Sequence, residues 1–196
     1  MRSLTNRSSG KQGYAIAGAL AALGAEVTLV SGPTALAAPV GVHRVDVETA
    51  RDMLVACDGA LPADIAVLVA AVADWRPELV AHRKIKKSGE APQPIALVEN
   101  PDILAWLSQP GPERPRLVIG FAAETNDVEA NAQAKLVRKG CDWIVANDVT
   151  QPGVMGGGEN EVLLVTATDV DRWPRMDKDA VAARLAAAIA EAFADT

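Results

Sequence analysis

The sequence predicts an α/β fold, a Rossmann-like three-layer sandwich in which helices cover both faces of a mainly parallel central sheet. Two observations lead to this prediction. Residues 65–73 form a run of nine apolar residues without polar alternation, which is typical of a strand buried on both faces in the middle of a parallel sheet. Strand and helix patterns also alternate along the chain, which predicts right-handed crossovers between parallel strands.

In the first half of the chain, a helical pattern comes first. Apolar residues at helical spacing follow Gly13 and predict a helix that ends at Gly24, where glycine suits a left-handed C-terminal cap. Residues 27–30 and 42–47 are predicted strands, and a helix is predicted over about 48–58. The apolar run then follows as the predicted central strand.

The segment after the apolar run carries loop signals and a helix start. Two prolines within residues 92–94 predict an extended connection, and we expect residues 82–94 to form a mobile flap over the site. Asn100 can cap a helix, Pro101 suits the first helical position, and Asp102 complements the helix dipole. A helix is therefore predicted to start there.

The remaining elements follow from the same patterns. Residues 116–122 and 143–146 are predicted buried strands, separated by a helix over about 127–139 that Asn126 and Glu129 would cap. The last two predicted elements are an edge strand and a helix with one apolar face: residues 161–166, and Val181, Leu185, Ala188, Ile189 and Phe193.

Composition narrows the function classes. The chain of 196 residues suits a single domain, 1–196. Its apolar stretches fall well short of about 20 residues and its N-terminus lacks a signal pattern, so we expect a cytoplasmic protein without a membrane partner. A net charge of -6 argues against nucleic-acid binding. Cys57 and Cys141 match no metal or redox spacing, and buried free thiols explain them better than a disulfide or a nucleophile.

Lysines concentrate at two places near the predicted carboxyl ends of strands. Lys84, Lys86 and Lys87 follow the apolar run, and Lys135 and Lys139 share one face of a predicted helix. Either group alone is more typical of a solvated surface. However, ligands of open α/β sheets bind outside the carboxyl ends of the strands. Together the two groups indicate a clamp for a polyphosphate.

Asp74 closes the apolar run, and its role stays open between a strand-end cap, a salt-bridge partner and a ligand of a base, a ribose or Mg²⁺. Gly10 and Lys11 do not form a P-loop, because Gln12 replaces the required Ser or Thr. The glycine fingerprint of dinucleotide-binding proteins is also missing. A Rossmann-type NAD(P)-dependent oxidoreductase is one alternative function, and a nucleotide-binding module without catalysis is another.

Seven short segments are informative when they are taken together. They are 5–13 (TNRSSGKQG), 70–75 (AAVADW), 84–87 (KIKK), 100–103 (NPDI), 120–125 (GFAAET), 135–139 (KLVRK) and 146–148 (AND). In this order the chain resembles the phosphopantothenate–cysteine ligase family, the synthetase half of the bacterial bifunctional coenzyme A biosynthesis protein. Each segment is a weak signal alone, but their joint occurrence over nearly the whole chain is specific.

The resemblance implies CTP-dependent ligation of 4′-phosphopantothenate to cysteine. The carboxylate would attack the α-phosphate of CTP to give an acyl-cytidylate and pyrophosphate, and the cysteine amino group would then displace CMP. Cations around the β- and γ-phosphates would stabilise the charge that develops on the leaving group. The resemblance further implies Mg²⁺ or Mn²⁺, a homodimer that shares sites between subunits, and fusion to a flavin-dependent decarboxylase domain.

The resemblance also implies a role for individual residues, although it implies no metal ligands. Asn6 and Lys84 would be catalytic, with Asn6 acting in the second half-reaction, and Arg2, Asn6 and Ala71 would bind phosphopantothenate or the acyl-cytidylate. The residues implied to bind the nucleotide are Leu68, Val69, Ala70, Asp74, Lys84, Asn100, Pro101, Asp102, Ile103, Phe121, Lys135 and Lys139.

The chain departs from the family pattern in two ways. It lacks the decarboxylase half, so we expect no flavin and no decarboxylation. The family's first strand and its Gly-Thr turn normally lie just upstream of Arg2. We therefore expect that strand to be missing, with a weaker sheet and lower activity as the result.

Overall fold

The computed structural model describes residues 8–79, 94–148 and 159–194. The predicted flap, except for residue 94, lies outside these ranges. The described elements, in chain order, are α1 (Lys11–Ala22), β1 (Val27–Ser31), β2 (Val42–Asp46), α2 (Ala50–Asp58), β3 (Ile65–Leu68), β4 (Trp75–Pro77), β5 (Leu97–Glu99), α3 (Ile103–Leu107), β6 (Leu117–Glu124), α4 (Val128–Lys139), β7 (Trp143–Asp148), β8 (Glu159–Val165), β9 (Val170–Asp177) and α5 (Lys178–Ala194).

The larger sheet combines parallel and antiparallel strands. Among the described residues, its strand order is β3-β6-β7-β8-β9. The pairs β3–β6 and β6–β7 are parallel, whereas β7–β8 and β8–β9 are antiparallel. Two smaller pairs accompany it, a parallel β1–β2 pair and an antiparallel β4–β5 pair. The predicted α/β fold with a parallel sheet is confirmed, and β8 and β9 extend that sheet in antiparallel fashion.

Two hydrophobic clusters cover the opposite faces of this sheet. Successive side chains of a strand point to opposite faces, so the fully buried Ile119 and Val118 of β6 belong to different clusters. On one face, Ile119 shares its cluster with Leu185 of α5. On the other, Val118 shares its cluster with Ile103 of α3 and Leu136 of α4. The predicted three-layer arrangement is therefore confirmed.

The prediction of a nine-residue central strand over residues 65–73 is wrong in length, and within the described residues it is also wrong in position. β3 covers Ile65–Leu68, all four residues are half-buried, and in the described sheet β3 stands at one end of the strand order. Its pairing with β6 stops at Leu68 and Gly120. Beyond that pair the chain leaves the described sheet, and the carbonyl groups of Ala73 and Asp74 accept hydrogen bonds from Asn100. Within the described sheet, the interior strands are β6, β7 and β8.

The helix ends of the structure agree with some of the caps predicted from the sequence and contradict others. Gly24 adopts φ 92 after α1, and the N–H of Ala25 donates to the carbonyl of Leu20 at 3.1 Å, so the predicted left-handed cap is confirmed. The N-cap of α3 is Asp102 rather than Asn100. The N-cap of α4 is Asp127, in the left-handed region at φ 43 and without a side-chain cap hydrogen bond.

The predicted Asn126–Glu129 capping pair is accordingly wrong. The Asn126 carbonyl accepts a hydrogen bond from the Asn131 side chain at 2.8 Å. Glu129 instead forms an ion pair with Arg172 of β9. A local hydrogen bond of Asn126 and a tertiary ion pair of Glu129 therefore take the place of the predicted cap.

Strands β4, β5 and β9 were not predicted, and the prediction that residues 161–166 form an edge strand is wrong. β9 pairs along β8, and Trp173 of β9 is buried in the core. Most other residues of β9 are exposed or half-exposed and several are charged, so this segment lacks the apolar pattern by which a strand is recognised.

The C-terminal helix α5 has the predicted apolar face. Its buried residues include Val181, Leu185 and Ile189, while Ala188 and Phe193 are half-buried. None of the helices in the described ranges combines the length and the apolar character needed to cross a lipid bilayer.

Candidate functional site

Asn100 joins the loop after β3 to the segment that leads into α3. Its backbone N–H donates to the carbonyl of Asp74 at 2.8 Å, and its Nδ2 donates to the carbonyl of Ala73 at 2.8 Å. Arg76 donates to the Glu99 carbonyl and to Asn100 Oδ1, the latter at 3.4 Å. Because both the backbone and the side chain of Asn100 are used, two segments predicted to bind the nucleotide are fixed beside each other.

Asp102 is the N-cap of α3 and the partner of Lys139. Its Oδ1 accepts a hydrogen bond from the Ala105 N–H at 3.0 Å, and its Oδ2 forms an ion pair with the Lys139 ammonium. Partial burial by itself would raise the pKa of the Asp102 carboxyl, but the hydrogen bonds from Lys139 and Ala105 outweigh burial and lower the pKa below its ordinary value. The carboxylate is therefore stabilised in its charged form.

Lys135 is bound to strand β6, just beyond the point where the pairing of β3 with β6 ends. Its Nζ donates to the carbonyl of Phe121 at 2.8 Å, and Phe121 is the first residue of β6 beyond the last β3–β6 pair. Burial lowers the pKa of the Lys135 ammonium, Glu124 opposes this shift, and nearby cations including Lys139 reinforce it. A partly desolvated ammonium group therefore lies at the end of β3.

The direction of α4 explains why its lysines reach this place. Lys135 and Lys139 are four residues apart and share one helix face, as predicted. Side chains of an α-helix tilt toward its N-terminus, and the N-terminus of α4 follows the carboxyl end of β6. We call Asn100, Asp102, Phe121, Lys135 and Lys139 the α3–α4 site.

The loop after β3 presents backbone and one carboxylate next to this site. Ala70, Ala71 and Asp74 are exposed, whereas Leu68 and Val69 are half-buried and their side chains pack against the two core clusters. Contacts of Leu68 and Val69 with a ligand would therefore be made mainly by their backbone.

The other predicted residues fall into two groups. Ile103 is buried in the core at 5% exposure, so its side chain supports α3 instead of facing a ligand, and Pro101 is half-buried beside it. The remaining residues lie outside the described ranges, and their roles stay predictions: Arg2, Asn6, Lys84, Lys86 and Lys87.

Arg76 and Gly120 were missed by the sequence analysis. Arg76 follows Asp74 and holds the Asn100 segment, although nothing local in the sequence indicates its partner. A Cβ atom on Gly120 would lie 2.6 Å from Leu104 of α3 and 2.9 Å from Ile144 of β7. Gly120 lies in the GFAAET segment, and it lets α3 approach β6 closely.

A metal ion bound here would take most of its ligands from the phosphates of the nucleotide. Across the described ranges, no three His, Cys, Asp or Glu side chains are grouped so that they could hold a metal ion. Magnesium commonly takes one or two carboxylates and completes its shell with substrate phosphates and water. Asp74 is exposed, while Asp102 is engaged by Lys139. The residues present therefore fit a Mg²⁺ ion that is held chiefly by phosphate oxygens.

Comparison with known proteins identifies the family of the chain. Residues 1–193 match the family described as DNA/pantothenate metabolism flavoprotein C-terminal domain. The chain is 46% identical over 185 residues to the Coenzyme A biosynthesis bifunctional protein CoaBC of Vibrio cholerae, an alignment that covers 93% of this chain and 46% of that protein. Against the protein of the same name from Escherichia coli K12, identity is 46% over 175 residues, covering 88% and 43%. The chain thus spans less than half the length of these curated relatives.

A solved structure shows the same fold. The crystal structure of the C-terminal domain of Coenzyme A biosynthesis bifunctional protein CoaBC aligns with a TM-score of 0.82 and 39% identity, covering 100% of this chain and 89% of that one. The resemblance drawn from the sequence motifs is confirmed at the level of the family. The chain belongs to the family of the DNA/pantothenate metabolism flavoprotein C-terminal domain.

Proposed function

We propose that this chain is a phosphopantothenate–cysteine ligase domain that activates 4′-phosphopantothenate with CTP. The observation that carries the proposal is the convergence of Lys135 and Lys139 with Asn100 and Asp102 beside the loop that ends at Asp74. Two cations from one helix, a fixed backbone turn and an exposed carboxylate are the groups that a nucleoside triphosphate needs.

In the first half-reaction, the carboxylate oxygen of phosphopantothenate bonds to the α-phosphorus of CTP, and the bond from that phosphorus to the bridging oxygen of pyrophosphate breaks. Lys135 and Lys139 would neutralise the negative charge that grows on the leaving pyrophosphate. Lys135 is half-buried, and a less polar environment strengthens its attraction to phosphate. Bound Mg²⁺ would shield the phosphate charges.

The nucleoside end and the second half-reaction involve other residues. The exposed backbone at Ala70 and Ala71 would read the cytosine edge, with Asp74 contacting the nucleotide. Lys84 would join the phosphate clamp. Asn6, with Arg2, would hold the acyl-cytidylate while the cysteine amino group displaces CMP, so the carbonyl–oxygen bond to CMP breaks as the amide bond forms.

The assembly is also part of the proposal. We define the β4–β5 ribbon as residues 75–79 and 95–99, and it exposes Trp75, Leu79, Ile95 and Leu97 at 50%, 85%, 72% and 45%. A group of exposed apolar side chains is typical of a protein interface, which supports a homodimer. By analogy with the bifunctional relatives, we also propose a cytoplasmic location and a link to a decarboxylase domain.

The test is a pyrophosphate-release assay with phosphopantothenate, Mg²⁺ and either CTP or ATP, followed by addition of cysteine and detection of CMP and the cysteine adduct. We expect release with CTP and transfer to cysteine. Lys135→Gln and Lys139→Gln should each lower kcat/KM about 10- to 100-fold, because each removes a charge-assisted hydrogen bond to phosphate.

Arg138→Gln is the matched control, because it removes one positive charge from an exposed position of the same helix. It should change kcat/KM by less than about two-fold, as expected for a screened surface charge. CTP binding without pyrophosphate release would show a nucleotide-binding module instead. Oxidation of NADPH by the chain would favour the oxidoreductase alternative.

A further inference from the structure

We propose that Asp102 is a positioning residue that sets the place of the Lys139 ammonium, and that it is not itself a ligand of the nucleotide. This inference rests on the proposed function and refines it, because the sequence motifs place Asp102 among the nucleotide-binding residues. The structure gives its carboxylate two other partners, one for each oxygen.

The first partner fixes the carboxylate itself. Oδ1 accepts the Ala105 N–H at 3.0 Å as the N-cap of α3, and the side chains of Ile103 and Leu107 bury that helix in the core. Asp102 therefore projects from a supported turn. Its second oxygen is free to hold a cation in a defined position.

The second partner is Lys139, whose side chain needs a counter-ion to keep a fixed position. Lys139 is the last residue of α4, its side chain has four rotatable bonds, and Lys135 on the same helix repels it. Without a counter-ion, the Lys139 ammonium would be free to sample several rotamers in water. The ion pair with Asp102 keeps its side chain only 21% exposed, against α3.

The same turn connects Lys139 to the loop after β3. Asn100, two residues before Asp102, is bound through its backbone and side chain to the carbonyls of Asp74 and Ala73. A chain of contacts thus runs from the exposed loop through Asn100 and Asp102 to Lys139. The Lys139 ammonium is thereby connected to the loop that would hold the nucleoside.

Electrostatics argues against direct contact between Asp102 and the phosphates of the nucleotide. Carboxylate and phosphate are both anionic, and both oxygens of Asp102 already accept from protein donors. Asp102 therefore acts through Lys139, whose remaining N–H groups are available to phosphate.

The test is a double-mutant cycle with Asp102→Asn and Lys139→Gln, read as KM for CTP in the pyrophosphate-release assay. Asparagine caps helices as well as aspartate does, so Asp102→Asn keeps the Ala105 hydrogen bond and removes the ion pair. We expect KM for CTP to rise about three- to five-fold in the wild-type background, as for a partly exposed ion pair. In the Lys139→Gln background the same change should have almost no effect.

Asp127→Asn is the matched control. It makes the same substitution at the N-cap of α4, an exposed position without a side-chain cap hydrogen bond, and should leave KM for CTP unchanged. Thermal unfolding of Asp102→Asn checks that the fold is retained.

The outcomes separate the two proposals. A wild-type chain that releases no pyrophosphate from CTP overturns the proposed function, and the role of Asp102 with it. An active wild type in which Asp102→Asn leaves KM unchanged, lowers it, or raises it equally in both backgrounds overturns only the positioning role.

Discussion

Lys135 and Lys139 lie one helical turn apart but are held in different ways. Lys139 has a carboxylate partner in Asp102, whereas the Lys135 ammonium is bound to the backbone carbonyl of Phe121 in a half-buried place. Burial lowers the pKa of Lys135 because it disfavours the charged form. A charged, half-buried Lys135 therefore costs the free chain some stability.

This difference predicts how stability depends on pH. Between the lowered pKa of Lys135 in the folded chain and its ordinary value of 10.5, the unfolded chain binds a proton that the folded chain has lost. The free energy of unfolding therefore rises with pH in that interval. Relative to Lys135→Met, the wild type should gain stability as pH is raised from neutrality toward 10.5.

Urea unfolding of both proteins at a series of pH values measures this difference, in which the contributions of other titrating groups largely cancel. Arg138→Met is the control, because arginine stays protonated throughout this range, and its difference from the wild type should change little with pH. A wild type that loses stability relative to Lys135→Met as pH rises would contradict the lowered pKa.

At the scale of elements, the site depends on how closely α3 lies on β6. Gly120 provides the space, since a Cβ atom there would lie 2.6 Å from Leu104 and 2.9 Å from Ile144. α3 has only five residues, so packing rather than intrinsic helix stability keeps it in place. The position of Asp102 is thus tied to a glycine 18 residues later in the chain.

We expect Gly120→Ala to lower the free energy of unfolding by about 1–3 kcal/mol, because the methyl group overpacks the α3–β6 contact. It should also raise KM for CTP, since α3 carries Asp102. Gly111→Ala is the control: nothing lies within 4 Å of its Cβ position, and its effect should stay within about 0.5 kcal/mol. Equal stability of the two variants in urea unfolding would show that the contact relaxes without cost.

At the scale of the whole molecule, the β4–β5 ribbon is the part of the described chain where exposed apolar side chains gather. Trp75, Leu79, Ile95 and Leu97 all lie on it, and the Glu78 N–H donates to the Ala96 carbonyl at 2.9 Å, which extends the pairing. The ribbon adjoins the α3–α4 site through Arg76, which binds Glu99 and Asn100. A subunit seated on the ribbon would therefore lie next to the α3–α4 site.

We expect the wild-type chain to sediment as a dimer, and Leu79→Glu and Ile95→Glu to shift it toward monomer, because a charge buried in an apolar interface is costly. The monomeric variants should also lose ligase activity if the sites are shared. Val40→Glu makes the same change at a residue that is 98% exposed and lies off the ribbon; it should remain dimeric. A wild type that sediments as a monomer at assay concentration would reject the dimer.

The sequence by itself determined the α/β class, most helix and strand positions, the shared face of Lys135 and Lys139, and the family. These features depend on residues close together in the chain: helical spacing sets a face, glycine at φ > 0 ends α1, and short motifs keep their order. The half of the α3–α4 site that comes from α4 was therefore predictable.

Only the tertiary structure decided the length of β3, its place at one end of the described sheet, the cap of α3, the place of β9 and the contact between Asp102 and Lys139. An apolar run does not reveal where the hydrogen-bonded pairing of its strand ends. An Asn-Pro-Asp sequence does not reveal which side chain caps the helix that follows. Asn100 binds the loop of Ala73 and Asp74, which leaves Asp102 as the cap. Partners 37 residues apart, such as Asp102 and Lys139, meet because buried faces pack α3 and α4 on the same side of β6, and packing of distant segments is not encoded in any local pattern.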